Sequence, residues 1–169
     1  APLLLDAWIE ILVTSDVPLL RRLAIHAITI HPTKSPEDRL KWLIDRVGIH
    51  NLMEHHEIYR AVYQNYITAG DDARRAFVNA VISLKLPAVN DTSADERTAR
   101  THFDWLSWLV RAKPDCALAE AELAPIRLNY PDWRPTNQPD LTHWTQKANW
   151  IGFKSPWSIE QLLDRTPLS

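Results

Sequence analysis

The run HNLMEHHEIYR, residues 50–60, concentrates the groups that could do chemistry. On a helix Glu54 and Glu57 stand three apart and present two carboxylates on one face, and His50, if it joins the helix, lies four before Glu54. With His56 they form an adequate ligand set for Zn²⁺ or Mn²⁺, and a small metal-dependent hydrolase is the enzyme class such a cluster would serve. The helical zinc motif needs His at i and i+4 with Glu directly after the first. Here His56-Glu57 is followed by Arg60 at that place. The spacing therefore predicts a solvated helix face with local charge pairs and no bound metal.

Three other groups bear on function. Cys116 follows Asp115 at a helix start, where the dipole favours a thiolate, and His102 is a conceivable base. A lone cysteine among alanines also reads as a small buried apolar residue, which is the expectation here. The pairs Arg21-Arg22 and Arg74-Arg75 could line one basic edge and contact phosphate or an acidic partner, since the guanidinium fork suits both. Exposed helix faces carry such residues without any partner as well. Finally, PDWRPTNQPDLTHWTQKANWIGFKSPWS (131–158) holds four of the eight tryptophans without helical or strand period. Trp133, Trp144, Trp150 and Trp157 could form an open aromatic groove. The expected role is a strap that staples an irregular segment across helix ends, with Trp144 and Trp150 inward and Trp133 available to a partner.

The elements that must position these residues are all helical. Residues 2–14 form a short apolar helix. Asp16 is a candidate cap for the next, with Pro18 in its first turn and a stripe of Leu20, Leu23, Ala24, Ala27 and Ile28. Ser35-Pro36-Glu37-Asp38 is a start signal, Leu40, Leu43, Ile44 and Val47 its buried stripe, and Gly48 its stop. A helix over about 52–69 carries Tyr59, Val62, Tyr63, Tyr66 and Ile67 on one face. Asp71 is expected to cap another, with Ala73, Ala76, Phe77, Ala80, Val81 and Leu84 in period. Ser93 and Glu96 suggest a second capping box before a long helix to about 112, apolar on more than one side. Residues 115–129 give one more, strained at Pro125, and a short helix IEQLLDR follows Ser155 or Ser158. RRLAIHAI (21–28) and RRAFVNAV (74–81) share one pattern 53 residues apart, a faint repeat of the sort that stacked helical hairpins require.

Composition narrows the classes. A chain of 169 residues with net charge −2 suits one packed domain and argues against nucleic acid as the main partner. The single cysteine excludes an internal disulfide framework and fits a reducing cytosol. Only three glycines, Gly48, Gly70 and Gly152, are present, too few for a phosphate loop or dinucleotide fingerprint. No cofactor is expected. The apolar run LAIHAITI (23–30) is far short of a membrane span. An N-terminus without Met or signal features fits either a removed initiator or a segment of a longer polypeptide.

PDWRP (131–135), PDLTHW (139–144), WIGFKSPWS (150–158) and IEQLL (159–163), with RRLAIHAI…SPEDRLKWLIDR (21–46) upstream, resemble the helical-repeat regions of large bacterial STAND-type NTPases of anti-phage defence. The resemblance implies an all-α, HEAT-like stack of antiparallel hairpins over 1–130, with the Trp/Pro-rich strap and terminal helix over 131–169 packed on it. It carries no catalytic residue onto this chain. The implied role is a cytoplasmic, non-enzymatic scaffold or recognition segment whose partners are other domains of a longer chain or another protein. A nucleic-acid or peptide adaptor using the Arg pairs is the alternative beside the hydrolase.

Overall fold

A computed structural model describes residues 2–49, 55–88 and 93–136. Within them lie seven α-helices and no strand: α1 Pro2–Val13, α2 Pro18–Thr29, α3 Pro36–Trp42, α4 His55–Tyr66, α5 Asp71–Ile82, α6 Ala94–Ala112 and α7 Ala117–Asn129. The fold is all-α, as the periodicity predicts. No helix among the described residues is long and apolar enough to cross a membrane. The expected terminal helix, and Trp144, Trp150 and Trp157 of the strap, lie outside the described residues.

Consecutive helices pair as hairpins, α1 with α2 and α6 with α7, while α4 rests on α2 and α3, and α5 on α3, α6 and α7. The main core gathers Ile25, Leu40, Tyr59, Phe77, Trp105 and Leu106 with their neighbours. A second, smaller core of Ile9, Val13, Ala24 and Ile28 seals α1 onto α2. The long α6 buries Phe103, Trp105, Leu106 and Leu109, which explains an apolar pattern that no single face could hold.

The start of α3 has the predicted capping box. Ser35 Oγ accepts from the Asp38 amide, and the Asp38 carboxylate accepts from the Ser35 amide. At α6 the serine half is present, with the Glu96 amide donating to Ser93 Oγ. Two expected caps are corrected. The residue preceding α2 is Val17, with no side-chain cap, and Asp16 stands exposed beside it. Gly70, not Asp71, precedes α5, and Asp71 instead pairs with Arg74 from the first turn. The second misreading has a plain cause: an acidic residue next to a helix start serves the dipole from the first turn as well as from the cap, as Asp71 does.

Two stripes also shift. α2 buries Ala24, Ile25, Ile28 and Thr29, leaving Leu23 half exposed, and Ile67 stands outside the end of α4. After α3 the chain makes a π-helical turn, Leu43–Val47, closed by the Gly48 amide donating to the Leu43 carbonyl. Gly48 sits at φ 76°, where a side chain would be strained, so the predicted stop is required by backbone geometry. α7 runs through Pro125, whose missing donor falls on an exposed face.

Candidate functional site

The charged run of residues 55–60 opens α4. His50 and Glu54 lie outside the described residues. His56 and Glu57 stand on the side of α4 that meets α2, where Glu57 pairs with Arg22 at 3.6 Å. No group of three His, Cys, Asp or Glu gathers among the described residues. His102 and Cys116 are not brought together. His102 sits 3.2 Å from the Leu84 carbonyl, and burial pushes its pKa below the usual histidine value. Cys116 is buried at the start of α7, 3.7 Å from the Tyr66 hydroxyl, whose pKa is raised chiefly by burial. The thiol is a packing residue, as its alanine neighbours suggest.

The two arginine pairs do not form one edge. α2 packs mainly on α1 and α4, and α5 on α3, α6 and α7. Arg74 is only 8% exposed and donates to the carbonyls of Tyr66 and Ile67 at 3.0 and 3.1 Å while pairing with Asp71. The partner-binding reading of Arg74 is therefore corrected: its guanidinium ties the α4–α5 turn. Arg21 does the same one hairpin earlier, donating to the Ser15 carbonyl at 3.0 Å. Arg75 is exposed and Arg22 is the partner of Glu57.

A cleft of about 350 Å³ opens between α4, α6 and Trp133. Its floor is a stacked pair, Tyr59 on Trp105, with ring centres 3.8 Å apart, and His55 stands edge-on to Tyr59 at 4.4 Å. Trp133 stacks on Tyr130 at 3.9 Å and meets the edge of Phe103. The Arg100 guanidinium lies 5.2 Å from both Phe103 and Trp133 and donates to Asp104 at 3.2 Å. Burial pushes the Asp104 carboxyl above the usual carboxylate range, and Arg100 pulls the other way without cancelling it. The cleft thus sets a buried aromatic floor, Tyr59 and Trp105 each 1% exposed, beside one partly desolvated acid.

Trp133, read from the sequence as available to a partner, is half-buried against the main core. Sequence reasoning missed Tyr59, Arg100 and Asp104 as a group because they join only when α4 crosses α6. The i, i+4 spacing of Arg100 and Asp104 was the one signal available. No family model, curated protein or solved structure matches this chain.

Proposed function

We propose that this chain is a non-catalytic α-helical scaffold or recognition domain, built of stacked hairpins and working in the cytoplasm as part of a larger bacterial defence NTPase. The observation that carries the scaffold reading is that α1 is apolar on two faces, burying Ile9 and Val13 against α2 and showing a second apolar stripe outward. Its only two charged side chains turn toward the body: Asp6 to His31 and Lys34, and Glu10 to Trp42 and Arg46. Its outward stripe is Leu4, Trp8 and Ile11, each more than half exposed. A helix that is apolar on the face it buries and again on the face it shows is built to be covered.

An adjoining helical hairpin of the same stacked kind is the occupant that fits, because the inner units of such stacks are apolar on both sides and only the caps are polar. The sequence echo supports the repeat. At the six positions that follow the two Arg pairs the exposure pattern is the same: Leu23 and Ala76 exposed, Ala24-Ile25 and Phe77-Val78 buried, His26 and Asn79 exposed, Ala27 and Ala80 half-buried, Ile28 and Val81 buried. The defence and NTPase context rests on the resemblance of 21–46 and 131–163.

Sedimentation velocity and binding of the dye ANS test the scaffold reading. The wild-type chain is expected to self-associate as its concentration rises and to bind dye. Trp8→Lys with Ile11→Lys should reduce both while leaving the melting temperature nearly unchanged. A wild-type chain that stays monomeric and binds no dye would overturn the reading.

A further inference from the structure

The α2–α4 groove is a surface of a different character from the outward face of α1. One wall is the exposed stripe of α2, Leu19, Leu23 and Ile30, at 70%, 50% and 63% exposure. The other wall is α4, with Arg60 and Gln64 exposed along it, and the open volume between them is about 520 Å³. The charged groups that face it are Arg22, His26, His56, Glu57 and Arg60. Glu57 is the single acid and is already paired with Arg22 at 3.6 Å. Among the described residues no carboxylate pairs with Arg60. The groove therefore combines an apolar stripe on α2 with an Arg22–Glu57 pair bridging the two helices and Arg60 on α4, an excess of one positive charge in a chain whose net charge is −2.

We propose that this groove docks an acidic amphipathic helix of a partner protein, which lays its leucine-type face on Leu19, Leu23 and Ile30 and its carboxylates toward Arg60. The stripe Leu19, Leu23, His26, Ile30 runs at i, i+4, i+7 and i+11, close to the repeat that a second helix presents to a groove. The acids of the partner supply what the groove lacks, since Arg60 has no carboxylate and Arg22 shares its own with the rim. Nucleic acid fits less well. Three exposed aliphatic side chains face the groove against one unpaired arginine, whereas phosphate recognition needs an array of cations and rings that stack on bases. The proposal does not depend on what covers α1.

The test is fluorescence anisotropy with a labelled synthetic peptide of helical period, leucine on one face and glutamate on its flanks. Binding in the micromolar range is expected, weakened by salt. Leu23→Lys and Arg60→Glu should each weaken it by about tenfold or more, because one places a charge in the apolar wall and the other reverses the groove's arginine on α4. Both side chains are exposed, so unchanged circular dichroism melts verify that the fold is intact. A peptide with lysine in place of every glutamate should bind at least ~10-fold more weakly. Equal binding of the two peptides, indifference to both substitutions, or tight binding of a single- or double-stranded oligonucleotide in place of the peptide would each overturn the proposal.

Discussion

Arg74 and Arg75 are adjacent and chemically identical, yet the structure gives them opposite importance. Arg74 closes two carbonyls at the end of α4 and lies over the Tyr66 ring, while Arg75 points to solvent. Arg74→Met should destabilise the protein by about 2–4 kcal/mol, because buried acceptors lose their donor, and Arg75→Ala should stay within ~0.5 kcal/mol. Urea melts of the two variants check this. His102 makes a second residue-scale prediction. Its pKa is lowered in the folded chain, so the unfolded chain takes up the proton first as pH falls. The stability that neutral His102 gives is therefore whole above the ordinary histidine value and is lost as pH falls from about 6.5 toward its folded pKa. His102→Gln, which can keep a donor toward Leu84, should flatten the fall of melting temperature between neutral and mildly acidic pH. An unchanged slope would remove His102 from the acid response.

Among the elements, the starts of the helices are the sharpest points of comparison. Ser35→Ala should cost about 1 kcal/mol through loss of a working cap, and Asp16→Ala close to nothing, since Asp16 caps no helix. Chemical denaturation of the pair distinguishes a cap from a bystander that has the right residue type. This contrast also marks how far the sequence could be read. Helix existence followed from the stripes of α3, α5 and α6, and the Ser-Pro-Glu-Asp run located one start to the residue. What could not be read was the rotation of α2. Leu20, Leu23, Ala24, Ala27 and Ile28 satisfy the helical period, and so do Ala24, Ile25 and Ile28. Only packing on α1 and α4 selects the second set and leaves Leu23 outside. The cleft was illegible for the same reason, because Tyr59 and Trp105 lie 46 positions apart and meet only across two helices.

At the scale of the whole molecule, an aromatic contact joins α4, α5 and α6. Trp105 stacks on Tyr59, meets Phe77 edge-on at 5.7 Å and is 1% exposed. Trp105→Ala should cost about 3–5 kcal/mol, a large share of the stability of a domain this size, and equilibrium denaturation measures it. A substitution in the small core, Val13→Ala, acts where α1 meets α2, Trp42 and Val47 and not on the Trp105 contacts, and the two losses should add.

That division into two cores has a dynamic consequence. α2 is a wall between them: Ile25 belongs to the large core, and Ala24 and Ile28 to the small one. α1 is held by the small core and by two polar clips, Asp6 with His31 and Lys34, and Glu10 with Trp42 and Arg46. Such a unit can open without disturbing Trp105, and its opening free energy is set by a handful of contacts rather than by the global transition. Native-state hydrogen exchange should therefore find the amides of α1 unprotected first and those of α6 last. The helix whose outward stripe is apolar is thus also the one the molecule can release on its own, so that docking a partner on Leu4, Trp8 and Ile11 would freeze a local fluctuation as well as bury a surface.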